Sequence, residues 1–314
     1  MTGRSLAPAA AVLACAVLAG SQQGLARQPR VHHLVDDYAG SISPDGKTIV
    51  FERWFSTLRE GIDTHPVPQR AVLLLMRVDG SRKRVLRHAG ATFEHDATFS
   101  RDGRSILFVR DDRIHVMRRD GSRARPVRRD VLEHACPRFS PDGRKISFWR
   151  GRTAKTGAYY VMNADGTGLR RIVAIGREAP WGCPSWFPDG ERLVFAKWYK
   201  LYVASSDGSR VRRLPAHRDD TLYRPSASPD GRWIAADGYL HPSGYGVVVL
   251  RADGTGARRI TTSRNEIEND AGPTWSPDGR RILFSGHRGR FEGAGVYVVD
   301  RDGSGLRRLS NFAR

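Results

Sequence analysis

Three carboxylates, one imidazole and two bulky apolar side chains share one recurring position in this sequence. Eight residues ahead of a repeated Asp-Gly pair stand Asp37, Glu94, His134, Trp181, Leu222 and Asp270. If the six positions converge around an axis, the first, second and sixth are neighbours. Asp270, Asp37 and Glu94 then form an acidic sector, and Trp181 and Leu222 form an apolar one, with His134 between them. Three carboxylates on one side of a funnel could hold a hard cation such as Ca²⁺ through oxygen ligands. They could instead receive the cationic end of a peptide. They could also do no more than cap loops, as Asp does by bonding to backbone two residues on.

Two further groups carry chemistry. Cys136 and Cys183 each stand six residues before the Asp of their own Asp-Gly pair. A disulfide between them needs Cα atoms within about 7 Å. A structural zinc site would need more ligands than His134 beside Cys136 provides. No Gly-x-Ser-x-Gly, His-Glu-x-x-His, P-loop or Gly-x-Gly-x-x-Gly occurs, so no catalytic residue is assigned. An acid pair with His134 could still serve a hydrolase or lyase of a type without such a motif.

The elements that position these residues follow from the repeat. Ser43-Pro44-Asp45-Gly46 recurs with its aspartate at 102, 142, 189, 230 and 278. A second Asp-Gly follows each, at 79–80, 120–121, 165–166, 207–208, 253–254 and 302–303. Both are tight-turn chemistry, because Pro presets φ and Gly accepts a positive one. Apolar, β-branched and aromatic runs such as Ile146-Ser147-Phe148-Trp149 lie between the markers. Four short strands and their turns need roughly 40–45 residues, the size of a propeller blade. The expected fold is all-β: a six-bladed β-propeller over residues 37–314, with four antiparallel strands per blade. Residues 27–36 are a lead-in segment or a closing strand. The residue three before each marker Asp (Ile42, Phe99, Phe139, Trp186, Ala227 and Trp275) is expected to fill the core between blades.

The pattern Asp270-x-x-Pro273-x-Trp275-Ser276-Pro277-Asp278-Gly279, followed by Val296 to Gly303, resembles the WD40-like repeat of the TolB propeller family. The likeness runs from about Asp37 to Leu309. It implies the propeller fold and says little of function, because one fold hosts many functions; the separate domain that TolB carries ahead of its blades is not expected here. In contrast to the similar propellers of prolyl oligopeptidases, which precede a hydrolase domain, a bare propeller is expected.

Antiparallel strand order puts both kinds of tight turn on one face and all variable links on the other. The first unit is the longest between its markers, around Trp54. Long links on a rigid scaffold are where binding usually sits. The expected binding set is therefore Asp37, Glu94, His134, Trp181 and Asp270 at the channel, with Trp54 and Trp198 as apolar contacts. A metal, if bound, would use Asp37, Glu94 and Asp270; no other cofactor is expected.

Residues 1–26 read as a secretory signal: Arg4, an apolar run from Leu6 to Gly20, and Gly24-Leu25-Ala26 as the exit. The protein is expected in the periplasm, cell envelope or exterior, with lipidation at Cys15 as the alternative anchor and no membrane span in the mature chain. Lys and Arg number 52 against 33 acids, a formal charge of +19, and lysine occurs only 6 times. The arginines spread over the outermost strands rather than clustering with aromatics, which argues against specific nucleic-acid recognition. A rim of this kind could touch anionic envelope polymers. The expected partner is a protein or peptide of the cell envelope, bound by a monomer.

Overall fold

The computed structural model describes residues 30–60, 62–63, 66–86, 93–152, 156–175, 182–261, 268–287 and 293–310, and for 268–271 the backbone alone. The secretory leader expected at 1–26 lies outside these residues, as does Trp181. Among them no helix is long and apolar enough to cross a membrane.

Six four-stranded antiparallel sheets follow one another along the chain. Blade 1 comprises β1 (Val31–Ile42), β2 (Thr48–Arg59), β3 (Val67–Arg77) and β4 (Arg84–Val85). The innermost strands of blades 2 to 6 are β5 (Glu94–Phe99), β9 (Glu133–Phe139), β13 (Ser185–Trp186), β17 (Thr221–Ala227) and β21 (Glu268–Trp275). Their outermost strands are β8 (Arg125–Pro126), β12 (Arg170–Ala174), β16 (Val211–Arg213), β20 (Arg258–Arg259) and β24 (Arg307–Arg308). Each inner strand packs on the next blade, and β1 packs on blade 6, so the ring closes.

The Ser-Pro-Asp-Gly turn explains why the markers recur. Ser43 Oγ donates to Asp45 Oδ1 at 2.5 Å, the Lys47 amide donates to the same oxygen, and the Thr48 amide donates to Ser43 Oγ. Gly46 completes the turn at φ 69°, where a Cβ would be strained. In blade 4, Phe187 replaces the serine, and Asp189 binds Arg192 instead at 2.6 Å.

Apolar clusters lie between blades. One joins Trp149, Tyr159 and Val161 of blade 3 to Trp186, Leu193 and Phe195 of blade 4. Another joins Ala235, Val247 and Val249 of blade 5 to Trp275, Ile282 and Phe284 of blade 6. The indoles of Trp186 and Trp275 donate to carbonyls of the preceding blade, at Arg138 and Ser226. The expected core position is thus a sheet-to-sheet tie as well as a filler.

Blade 1 departs from the long-loop expectation. Its extra length is strand: β1, β2 and β3 hold 12, 12 and 11 residues, against 6 to 8 for the first three strands of most other blades. Val31 to Asp36, expected as lead-in or closing strand, pairs with Arg59 to Trp54 and so lengthens the inner strand of blade 1. The three strands project together on the face of the variable links.

Candidate functional site

The channel mouth is a cavity of about 840 Å³. The residue four before each marker Asp lines it in all six blades: Ser41, Thr98, Arg138, Ser185, Ser226 and Thr274. Five are small hydroxyls, and two of these accept the amide of the next inner strand, Phe99 N to Ser41 Oγ and Ala227 N to Ser185 Oγ. Arg138 is the exception and brings a guanidinium into the channel.

Among the described residues, those eight before the marker, Asp37, Glu94, His134 and Leu222, do not line the cavity. Asp37 is fully buried and accepts two bonds from Arg53, at 2.7 and 2.9 Å. Glu94 is buried and accepts from Arg110 Nε and Nη2 at 3.0 and 2.7 Å. His134 packs edge-on against Phe148, with Nε2 3.0 Å from Asp130 Oδ1. Burial is the first influence on His134 and moves its pKa down, against the charge of Asp130. Asp270 lies on β21, with only its backbone described. The funnel expected from Asp37, Glu94 and His134 is therefore walled by their sequence neighbours. A Ca²⁺ ion on Asp37 and Glu94 would have to displace two arginines from their carboxylates.

The reason is a bulge. The residue six before the marker has positive φ in four blades: Asp96 (58°), Cys136 (59°), Arg224 (41°) and Gly272 (62°). Strand register breaks at the same place, between His95 and Thr98 and between Tyr223 and Ser226. A left-handed residue kinks the strand and re-aims its side chains. Asp96 and Arg224 thereby face the cavity. The sequence signal was present in the types at that offset, which include glycine and aspartate, the residues that best tolerate this conformation.

Blade 1 closes one side of the mouth. Glu52, Trp54, Ser56 and Leu58 alternate along one face of β2 and line the cavity, as do Asp36 and Tyr38 opposite them. Trp54 meets Tyr38, Phe93 and His95 edge-on or tilted, at centroid distances of 5.9 to 6.1 Å. Its indole donates to Glu52 Oε2 at 3.0 Å, and Glu52 Oε1 accepts the amide of Asp96. Asp96 Oδ2 accepts the Cys136 amide at 2.8 Å and lies 3.2 Å from His95 Nδ1.

This cluster has displaced acidities. Burial, then the charge of Asp96, pushes the Glu52 carboxyl up to about 7. Burial opposes the charge on His95, but the Asp96 hydrogen bond and the charges of Asp96 and Glu52 outweigh it and raise the imidazole to about 9. Burial likewise opposes ionisation of Asp96, but His95 and Arg138 outweigh it and lower that carboxyl to about 2. Burial also raises Asp36, whose Oδ1 accepts the Ala294 amide at 2.7 Å.

Across the mouth stand two arginines. Arg138 donates to the Pro137 carbonyl at 2.9 Å and lies 3.3 Å from Cys183 Sγ. Arg224 makes a two-point pair with Asp237, both bonds 2.9 Å. Beneath Arg138, Cys136 and Cys183 are joined as a disulfide, with Cα atoms 4.8 Å apart, which ties blade 3 to blade 4.

Trp198 lies outside the cavity, on the turn between β14 (Arg192–Lys197) and β15 (Lys200–Ser205). It is 55% exposed, beneath Lys197 Nζ at 4.7 Å. Tyr199, Tyr239 and Tyr245 are also exposed on blades 4 and 5 at this face. The sequence reading named the tryptophan as an apolar contact and did not name the tyrosines, which lie at strand ends outside the repeat markers.

Residues 73–313 match the TolB beta propeller domain. The chain is 30% identical over 152 residues to the uncharacterized peptidase YuxL of Bacillus subtilis, covering 48% of this chain and 21% of that protein. It is 27% identical over 116 residues to the Tol-Pal system protein TolB of Francisella tularensis, covering 37% of this chain and 26% of that one. The chain thus spans about a quarter or less of these two relatives' length. The crystal structure of TolB from Acinetobacter baumannii superposes with a TM-score of 0.62 at 16% identity, over 87% of this chain and 77% of that one. With the repeat, the closed ring and the match over most of its length in agreement, the chain belongs to the TolB beta propeller domain family.

Proposed function

We propose that this chain is an exported propeller that binds a protein segment or peptide across its loop face, with the channel mouth as the anchoring pocket. The observation that carries the reading is the polarity of the 840 Å³ cavity. Asp36, Glu52 and Asp96 stand on the blade 1 and 2 side, and Arg138 and Arg224 on the sides of blades 3 and 5. A peptide offers both complements, a cationic side chain or amino end and a row of carbonyls. Trp54 supplies the apolar wall. Exposed Trp198, Tyr199 and Tyr239 suit a flat contact beyond the pocket, since aromatic residues are enriched at interfaces. In this reading Asp37 and Glu94 act by fixing Arg53 and Arg110 behind the wall. Relatives named for the Tol-Pal system support placing the partner in the cell envelope.

The test is selection of a displayed random-peptide library on the wild-type protein, then titration of the enriched peptides against Glu52→Gln, Arg138→Ala and Trp54→Ala. Enriched peptides should share a cationic residue, and at least two variants should bind about tenfold more weakly, the loss of one buried contact. Absence of enrichment, or equal binding by all three variants, refutes the reading.

A second reading uses the same cavity for acid–base chemistry. It is favoured by the displaced acidities of Glu52 and His95, which are commoner at active sites than elsewhere. A likeness to a peptidase supports it over a fifth of that relative's length. Hydrolysis or elimination of an enriched peptide or glycan by the wild type, lost in His95→Gln, would replace the binding reading with this one.

A further inference from the structure

A second group of ligating side chains stands on the loop face, apart from the channel. A ring nitrogen of His217, one of His241 and a carboxylate oxygen of Asp219 all lie within 4.8 Å of one another. The two imidazoles are stacked, with centroids 4.6 Å apart and planes 9° from parallel. His217 and Asp219 lie on the link from blade 4 to blade 5, and His241 on the link between β18 (Trp233–Leu240) and β19 (Gly244–Arg251). His217 and Asp219 are each 49% exposed.

The backbones that carry them are fastened. Buried Asp220 joins the two links: its Oδ2 accepts the His217 amide at 3.0 Å, and its Oδ1 accepts the His241 amide at 2.9 Å. Lys200 Nζ donates to the carbonyls of His217 (3.1 Å), Arg218 (2.7 Å) and Asp220. A cleft of about 340 Å³ opens beside the pair, with His217, Asp220 and His241 in its wall. The frame is therefore rigid while the three ligand side chains stay at the surface.

From this arrangement we infer a divalent transition-metal site, with His217, His241 and Asp219 as its ligands and Zn²⁺ as its ion. Two imidazoles and one carboxylate form a nitrogen-rich set, which suits zinc and its neighbours. Ca²⁺ and Mg²⁺ prefer oxygen alone. In a tetrahedral site with metal–ligand distances of about 2.0–2.2 Å, ligand atoms sit roughly 3.4 Å apart. Rings stacked 9° from parallel aim their in-plane lone pairs side by side, so binding requires the exposed imidazoles to turn about their χ angles toward a common point. Three protein ligands leave the fourth position to water or to a group on a bound partner.

The experiment titrates the purified protein with zinc chloride alone, followed by calorimetry, and repeats it with Co²⁺ in the visible spectrum. The wild type should bind one Zn²⁺ at this site, with no matching signal for Ca²⁺. His217→Ala and His241→Ala should each weaken binding by at least about tenfold, the scale seen even for outer-shell partners of a metal. The ligand-field absorption of bound Co²⁺ should disappear in both. Their metal-free melting temperatures should equal that of the wild type, because the side chains are at the surface and the fastening is through backbone. Absence of zinc binding, or wild-type affinity in both variants, overturns the proposal.

Discussion

At the scale of single residues, one offset separates side chains that face the channel from those that hold it together. Asp37 and Glu94 bind arginines inside the wall, whereas Asp36 and Asp96, one and two residues away, line the cavity. Burial and charge then set the acidity of the cavity-lining set. His95 is raised to about 9 from its ordinary 6.5. A group raised on folding contributes stability that is fully present below its unfolded value and is lost as pH rises through the folded one. The His95 contribution is therefore lost between about 6.5 and 9, and that of Glu52, raised to about 7, is lost over a lower window of the same sign. Asp96 has the opposite sign, and its contribution disappears as pH falls toward about 2. Thermal melts from pH 6 to 9.5 should show the wild type losing on the order of 1–3 kcal/mol relative to His95→Gln. Parallel pH profiles would show that the imidazole is not held by Asp96 as described.

At the scale of elements, the long ribbon of blade 1 breaks the repeat, whereas the arginine rim runs through it. The ribbon adds Ser56 and Leu58 to Glu52 and Trp54 along the channel because β2 continues its alternation beyond the ordinary strand length. The rim has a bonding role between blades. Arg84 reaches the carbonyls of Arg119 and Asp120, and Arg128 that of Gly166. Arg258 reaches Arg301 and Asp302, and Arg307 reaches Val78. Among the described residues, four of the six junctions thus carry a guanidinium from an outer edge to the Asp-Gly turn of the next blade. Arg258→Ala should cost about 0.5–1.5 kcal/mol in urea unfolding, the usual net worth of such bonds. If the rim instead serves an anionic polymer, Arg258→Ala should leave stability unchanged and lower the affinity for a soluble polyanion in a salt-dependent way.

At the scale of the whole molecule, the ring is closed by packing instead of by strand exchange. Blade 6 owns four strands, and its seam with blade 1 is an apolar cluster of Ile49, Phe51, Leu74 and Met76 with Leu283, Val296, Val298 and Leu309. Polar ties flank it, among them Ala39 N to Ser285 Oγ at 2.7 Å, Asp37 N to the Ala294 carbonyl at 2.8 Å and Ala294 N to Asp36 Oδ1 at 2.7 Å. Leu309→Ala removes apolar volume from this seam and should cost about 2–3 kcal/mol. Exposed Val85→Ala on the outer strand of blade 1 should cost less than about 0.5 kcal/mol. Equal effects in denaturant titrations would mean that the seam does not hold the ring.

The sequence by itself determined the repeat, the strand count and the face of the variable links, because turn chemistry and strand alternation are local. Pro-Asp-Gly and Asp-Gly must turn wherever they stand, and Phe99, Trp186 and Trp275 must be buried in a stack of sheets. It also marked Trp54 and the paired offset of Cys136 and Cys183. The lining of the channel was decided by tertiary structure. A left-handed residue at Asp96 or Arg224 shifts side-chain direction within a strand, and simple counting of alternation passes through such a bulge without seeing it. The acidity of Glu52 and His95 was decided there too, since it depends on burial and on charges from another blade. The meeting of His217 with His241 is of the same kind: 24 residues separate them in the chain, and the buried carboxylate of Asp220 brings their backbones together.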